Sequence, residues 1–118
     1  MMSDAPKLHH EQLDAYRAAV EFLALSTTIL TGYPKGHGAL TDQLRRASLS
    51  IPLNIAEGYG KRTIADRSRF YDIARSSAHE CGAVLDASAI LNLVQEEQFV
   101  RGKTLLVRIV QMLVKMTQ

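Results

Sequence analysis

The residues whose types and spacing could do chemistry begin in the run Gln43 to Lys61, QLRRASLSIPLNIAEGYGK. Asn54 stands three residues before Glu57 and Arg46 eleven before it, so on a helix the three lie roughly along one stripe. A cation, an amide and a carboxylate in a row beside an apolar face suit a hydrogen-bond network at a packed interface, with Ser77 and Glu80 as further members. The competing reading is a ligand or RNA contact by Arg46 or Asn54. A second group follows: Lys61, Arg62, Arg67 and Arg69, to which the expected helix order adds Lys115. This group is either a phosphate-contacting patch or the solvated end of a bundle.

Catalytic constellations are harder to find. A di-iron bundle needs Glu-x-x-His pairs so that both ligands face inward one turn apart, and no glutamate here has a histidine three residues on. His79 adjoins Glu80, yet no second histidine completes an HExxH pair. Gly102-Lys103-Thr104 resembles the end of a phosphate loop, but Glu97 occupies the place of its first glycine and no strand precedes it. Cys81 lies on an apolar stripe and reads as a small core residue. No G-x-S-x-G is present. The expectation is therefore a non-enzyme with no metal and no cofactor.

Charge is unevenly spread. The net charge of +2 conceals a middle section, residues 35–75, with eight basic and four acidic side chains, while the remainder is −2. Such asymmetry hints at an anionic partner. At 118 residues the chain suffices for one domain with one core, 1–118. The lone Cys81, an N-terminal stretch without the apolar core of a signal peptide, and uncharged runs too short to span a bilayer together favour a cytoplasmic protein.

The elements that must position these groups read as four helices. Residues 11–31 carry one stripe of Tyr16, Ala19, Leu23, Ser26 and Leu30 and a second of Phe22, Leu25 and Ile29. A helix apolar over more than one face is central or covered by another subunit, so Phe22, Leu25 and Ile29 are expected to form an oligomer interface. A turn rich in glycine leads to a second helix, 41–57, with Leu44, Ala47, Ser48, Ile51, Ile55 and Gly58 on one face. Pro52 should bend this helix near Ser48, or the chain stops and restarts with Ser50 as cap. Thr63-Ile-Ala-Asp66 is a start signal for a third helix, 64–94, and a fourth spans 96–116. Short connections between long helices give an all-α, antiparallel up-down-up-down four-helix bundle.

The motif QLRRASLSIPLNIAEGYGK followed by FYDIARSSAHE closely resembles the family of four-helix-bundle intervening-sequence proteins, known from reading frames inside insertions in bacterial 23S rRNA genes. The matches are Gln43, Leu44, Arg46, Ala47, Ser50, Ile51, Pro52, Asn54, Ile55, Ala56, Glu57 and Gly58, then Phe70, Ile73, Ala74, Ser77 and Glu80. Ser76, Cys81 and Tyr16 depart from the usual glycine, leucine and tryptophan, outside the core motif. The resemblance implies a ring-like homopentamer and kinship with the accessory protein of diversity-generating retroelements, which binds nucleic acid. It implies no catalytic residues.

Together these readings anticipate a non-enzymatic, self-associating bundle that binds RNA or DNA through phosphates without reading sequence, with no membrane and no small-molecule substrate. The alternative is an assembly or protein-interaction scaffold without a polyanion partner.

Overall fold

The computed structural model describes residues 4–117. A short 3-10 helix, His9–Gln12, leads into α1, Asp14–Thr31; α2 follows at Gly38–Tyr59, α3 at Ile64–Ile90 and α4 at Glu96–Met116. The described residues contain no strand.

Three helix ends lie three or more residues from expectation: α2 starts at Gly38 and not at Thr41, and the other two shifts have local reasons. Leu13 adopts an extended backbone (φ −70, ψ 130), which separates the 3-10 turn from α1, so that α1 starts at Asp14 and not near Glu11. The third helix stops at Ile90, short of Val94, because Asn92 takes the left-handed conformation (φ 59). The Leu93 N–H donates to the Ser88 carbonyl (2.8 Å) and the Asn92 N–H to that of Ala89 (3.1 Å), the paired bonds of a Schellman end. Asparagine is the residue after glycine that best tolerates this backbone.

The second helix runs unbroken through Pro52. Proline withdraws one backbone donor, so the Ser48 carbonyl loses its usual partner. Burial of Ile51, Pro52 and Ile55 holds the turn in place. Ser50 is thus mid-helix and not a cap.

Each helix packs against its sequence neighbours, and α1 closes the square against α4. Neighbours run in opposite directions. Gln43, Ser50 and Gly58, ascending α2, meet Glu80, Ser77 and Tyr71, descending α3. Asp86 and Gly82 likewise meet Lys103 and Leu106 across α3 and α4. One end of the bundle therefore gathers the start of α1, the α2–α3 turn and the end of α4.

The core corrects the reading of α1. Ala15, Ala18, Phe22, Leu25 and Ile29, at alternating spacings of three and four, face inward, with Phe22 completely buried and with Ala19 and Ser26 of the other stripe buried beside them. Phe22, Leu25 and Ile29 are consequently the chain's own core and present no surface to a second copy. Tyr16, Leu23 and Leu30 sit at its margin. Gly102 belongs to the same packing, since a Cβ there would stand 2.9 Å from Leu85 Cδ1. The Gly102-Lys103-Thr104 run is therefore mid-helix packing, with Lys103 Nζ donating to Asp86 Oδ1 at 2.6 Å.

Candidate nucleic-acid interface

The turn between α2 and α3 is built by local bonds. The Gly60 N–H donates to Ala56 O (3.2 Å) and the Lys61 N–H to Gly58 O (3.0 Å), closing α2. Thr63 caps α3, its hydroxyl accepting from the Asp66 N–H at 3.1 Å. Gly58 lets the helices approach closely here: a Cβ on it would meet Tyr71 Cε1 at 2.8 Å and Phe70 Cβ at 3.0 Å.

Around this turn cations lie on aromatic rings. The Lys61 ammonium is 5.1 Å from the Phe70 ring centre and the Arg69 guanidinium 4.9 Å from it. Arg67 stands 5.4 Å from the Tyr59 ring and is pinned by donation from Nε to the Lys61 carbonyl (2.7 Å). Lys61 also pairs with Glu57 at 3.2 Å. Arg62, Arg69 and, on the last turn of α4, Lys115 are exposed, and none has an ion-pair partner among the described residues. Attraction between a cation and a ring face is worth roughly 0.5–1 kcal/mol at such exposed sites, a bias toward these positions that leaves the charge open to a partner.

Beside the turn lies a cleft of about 360 Å³, lined by Leu13, Tyr59, Ile64, Arg67, Tyr71 and Met116. Its floor includes Tyr71, whose phenol burial pushes above its ordinary pKa despite the nearby Arg67 charge, so it stays a neutral hydroxyl. His9 approaches the Tyr59 hydroxyl at 3.5 Å from the N-terminal side.

The expected network of Arg46, Asn54, Glu57, Ser77 and Glu80 does not exist as one unit. Asn54 Nδ2 donates to both the carbonyl and the hydroxyl of Ser50 (2.9 Å each), and Ser77 donates to the same hydroxyl (2.8 Å). Glu80 accepts from Gln43 Nε2 at 2.7 Å, Glu57 turns to Lys61, and Arg46 is exposed. Spacing set Arg46, Asn54 and Glu57 roughly along one stripe of α2, but Asn54 and Glu57 each take a partner four residues away along the chain, while Ser77 and Glu80 of α3 reach Ser50 and Gln43. Ser50 is the hub that sequence reasoning missed, and so were Tyr59, Phe70 and Tyr71. The interleaving of aromatics with the basic residues of 59–71 was the signal that could have found them.

Elsewhere, burial pushes the Cys81 thiol up to about 12, which leaves it protonated and inert. No cluster of three potential metal ligands occurs among the described residues. Among them, too, no helix is long and apolar enough to cross a membrane.

The family model of the 23S rRNA-intervening sequence protein matches residues 11–115. The chain belongs to that family. A search of curated proteins gives no match. Among solved structures, the chain is similar to a protein of unknown function of the S23 ribosomal protein family from Bacteroides thetaiotaomicron, with a TM-score of 0.81 and 19% identity over 88% of this chain and 98% of that one. At that identity the likeness concerns the fold. The intervening-sequence motif itself maps onto the α2–α3 pair: its apolar members Leu44, Ala47, Ile51, Ile55 and Ala74 are core, and Ser50, Asn54 and Ser77 form the hydrogen-bonded seam between the helices.

Proposed function

We propose that this member of the intervening-sequence family acts by binding and not by catalysis, as a cytoplasmic accessory protein that holds RNA or DNA by its phosphates without reading sequence. The observation that carries the reading is the cluster of Lys61, Arg67 and Arg69 laid on Tyr59 and Phe70, with Arg62 beside it and neither Arg62 nor Arg69 paired with a carboxylate among the described residues. Phosphate contacts fix a nucleic acid in place and carry no sequence information, which suits a patch of lysine and arginine at one end of a bundle. Fluorescence anisotropy with RNA and DNA at low salt tests it. Binding should be evident and should fall sharply when Lys61, Arg62 and Arg69 are replaced together by Ala. Absence of binding, or affinity unaltered by the triple substitution, removes the proposal.

Self-association into a ring of five, which the family resemblance implies, belongs to the same proposal, but the surface offered for it is not the one expected. Leu49 and Leu53 are exposed one turn apart on α2, and Ile73 is exposed one turn before Ser77, the residue bonded to Ser50. These apolar side chains border the Ser50–Asn54–Ser77 seam and supply an unpaired strip suited to a second copy. A ring would repeat the basic end five times and so raise the affinity for a polyanion by multivalency. The same strip favours the second reading, an assembly scaffold with no nucleic-acid partner. Leu49→Asp with Leu53→Asp should lower the mass seen by sedimentation while helix content is kept; a wild type that sediments as a monomer removes the ring.

A further inference from the structure

We propose that the cleft at the basic end takes an unpaired nucleobase, so that the polynucleotide held there is single-stranded. The inference rests on the reading of the basic end as a nucleic-acid site and specifies what it binds.

Tyr71 is the first reason. The residue is only 4% exposed, yet its hydroxyl has no hydrogen-bond partner among the described residues. No side-chain nitrogen or oxygen there is sealed from solvent without a partner. The hydroxyl therefore keeps some access to solvent, and Tyr71 is one of the residues that line the cleft; a neutral phenol can both donate to and accept from a base edge. A mostly buried ring whose hydroxyl stays accessible beside a cleft is the kind of polar group that fixes a ligand's orientation there.

The walls match the same ligand. Arg67 is held by donation from its Nε to the Lys61 carbonyl (2.7 Å), and its guanidinium lies over the Tyr59 ring. Guanidinium planes and aromatic rings are the surfaces on which unstacked bases settle. Leu13, Met116 and the 77%-exposed Ile64 complete an apolar rim. Cations flank it by sequence adjacency: Lys61 and Arg62 precede the capped start of α3, and Lys115 precedes Met116. A base in the cleft would thus have its own phosphates near positive charge. Bases in a duplex are stacked and paired and present only groove edges and phosphates, so a duplex would leave the cleft unused.

The test compares a single-stranded oligonucleotide with the duplex of the same sequence by anisotropy at low salt. Wild type should bind the single strand about tenfold more tightly, the scale of one base stacked on an aromatic or guanidinium surface. Arg67→Lys keeps the charge and loses the plane; Tyr71→Phe loses only the hydroxyl. Together they should remove the preference by weakening single-strand binding about tenfold more than duplex binding. In the wild type, ultraviolet crosslinking to a bromouracil-substituted strand should label Tyr59, Tyr71 or Met116. Equal affinity for the two forms, a preference that survives both substitutions, or crosslinks confined to residues outside the cleft overturns the cleft while the phosphate patch stands. Binding of neither form at low salt overturns both.

Discussion

Salt dependence gives the sharpest measure of the basic end, because it counts phosphates. Arg62, Arg69 and Lys115 are exposed and have no ion pair among the described residues, while Lys61 shares its charge with Glu57 at 3.2 Å and Arg67 is committed to the Lys61 carbonyl. One bundle thus offers three to four cations to a strand. Each phosphate neutralised on a single strand contributes about −0.7 to the slope of log affinity against log salt. The expected slope is about −2 to −3, so affinity should fall about 20- to 60-fold between roughly 50 and 200 mM salt. Arg62→Ala should flatten the slope by about 0.7 and weaken binding uniformly across sequences. Anisotropy titrations at four or so salt concentrations measure both quantities. A slope steeper by whole multiples would count further bundles engaged on one strand. A flat line, or Arg62→Ala and Arg69→Ala lines parallel to wild type, refutes the reasoning.

Other outcomes follow from the packing. Glu57→Ala should change stability by no more than about 0.5 kcal/mol in a denaturant melt, because its partner Lys61 is an i,i+4 pair with the carboxylate more than half exposed; it should also tighten polyanion binding by freeing that lysine. Gly58→Ala should destabilise by about 1–2 kcal/mol despite the better helix propensity of alanine, since the new Cβ would stand 2.8 Å from the Tyr71 ring and 3.0 Å from Phe70 Cβ, neither free to yield. Cys81 should resist thiol reagents in the folded protein at neutral pH. Its thiol titrates near 9 when unfolded and about 12 when folded. The stability from burying the neutral form is therefore whole below about pH 9 and declines as pH rises toward 12. A cysteine modified at the unfolded rate would contradict this.

Much of the fold was written in local pattern. The alternating three- and four-residue spacings of Leu44, Ala47, Ile51 and Ile55, the Thr63 cap with Asp66, and the glycine-rich turn before α2 each report physics that acts within a few residues, and the short connections then leave few ways to pack four helices. The basic residues of the α2–α3 turn were equally plain, because sequence neighbours on a tight turn are spatial neighbours. Asn92 was legible in principle as a helix terminator, but a side chain that tolerates a left-handed backbone does not demand one.

What the sequence determined by itself was composition, periodicity and charge: an all-helical chain with a positive turn and no assembled catalytic set of the kinds sought. Only the tertiary structure decided that both apolar stripes of α1 supply the core, Ala19 and Ser26 from one and Phe22, Leu25 and Ile29 from the other, an outcome that depends on how α2 and α4 flank the helix. It alone decided that Ser77 of α3 meets Ser50 of α2, because partners on different helices are chosen by helix rotation; Asn54–Ser50 and Glu57–Lys61 are i,i+4 pairs that spacing along the chain already allows. And it alone brought Leu13 before α1, Tyr71 two turns into α3 and Met116 at the end of α4 around one cleft.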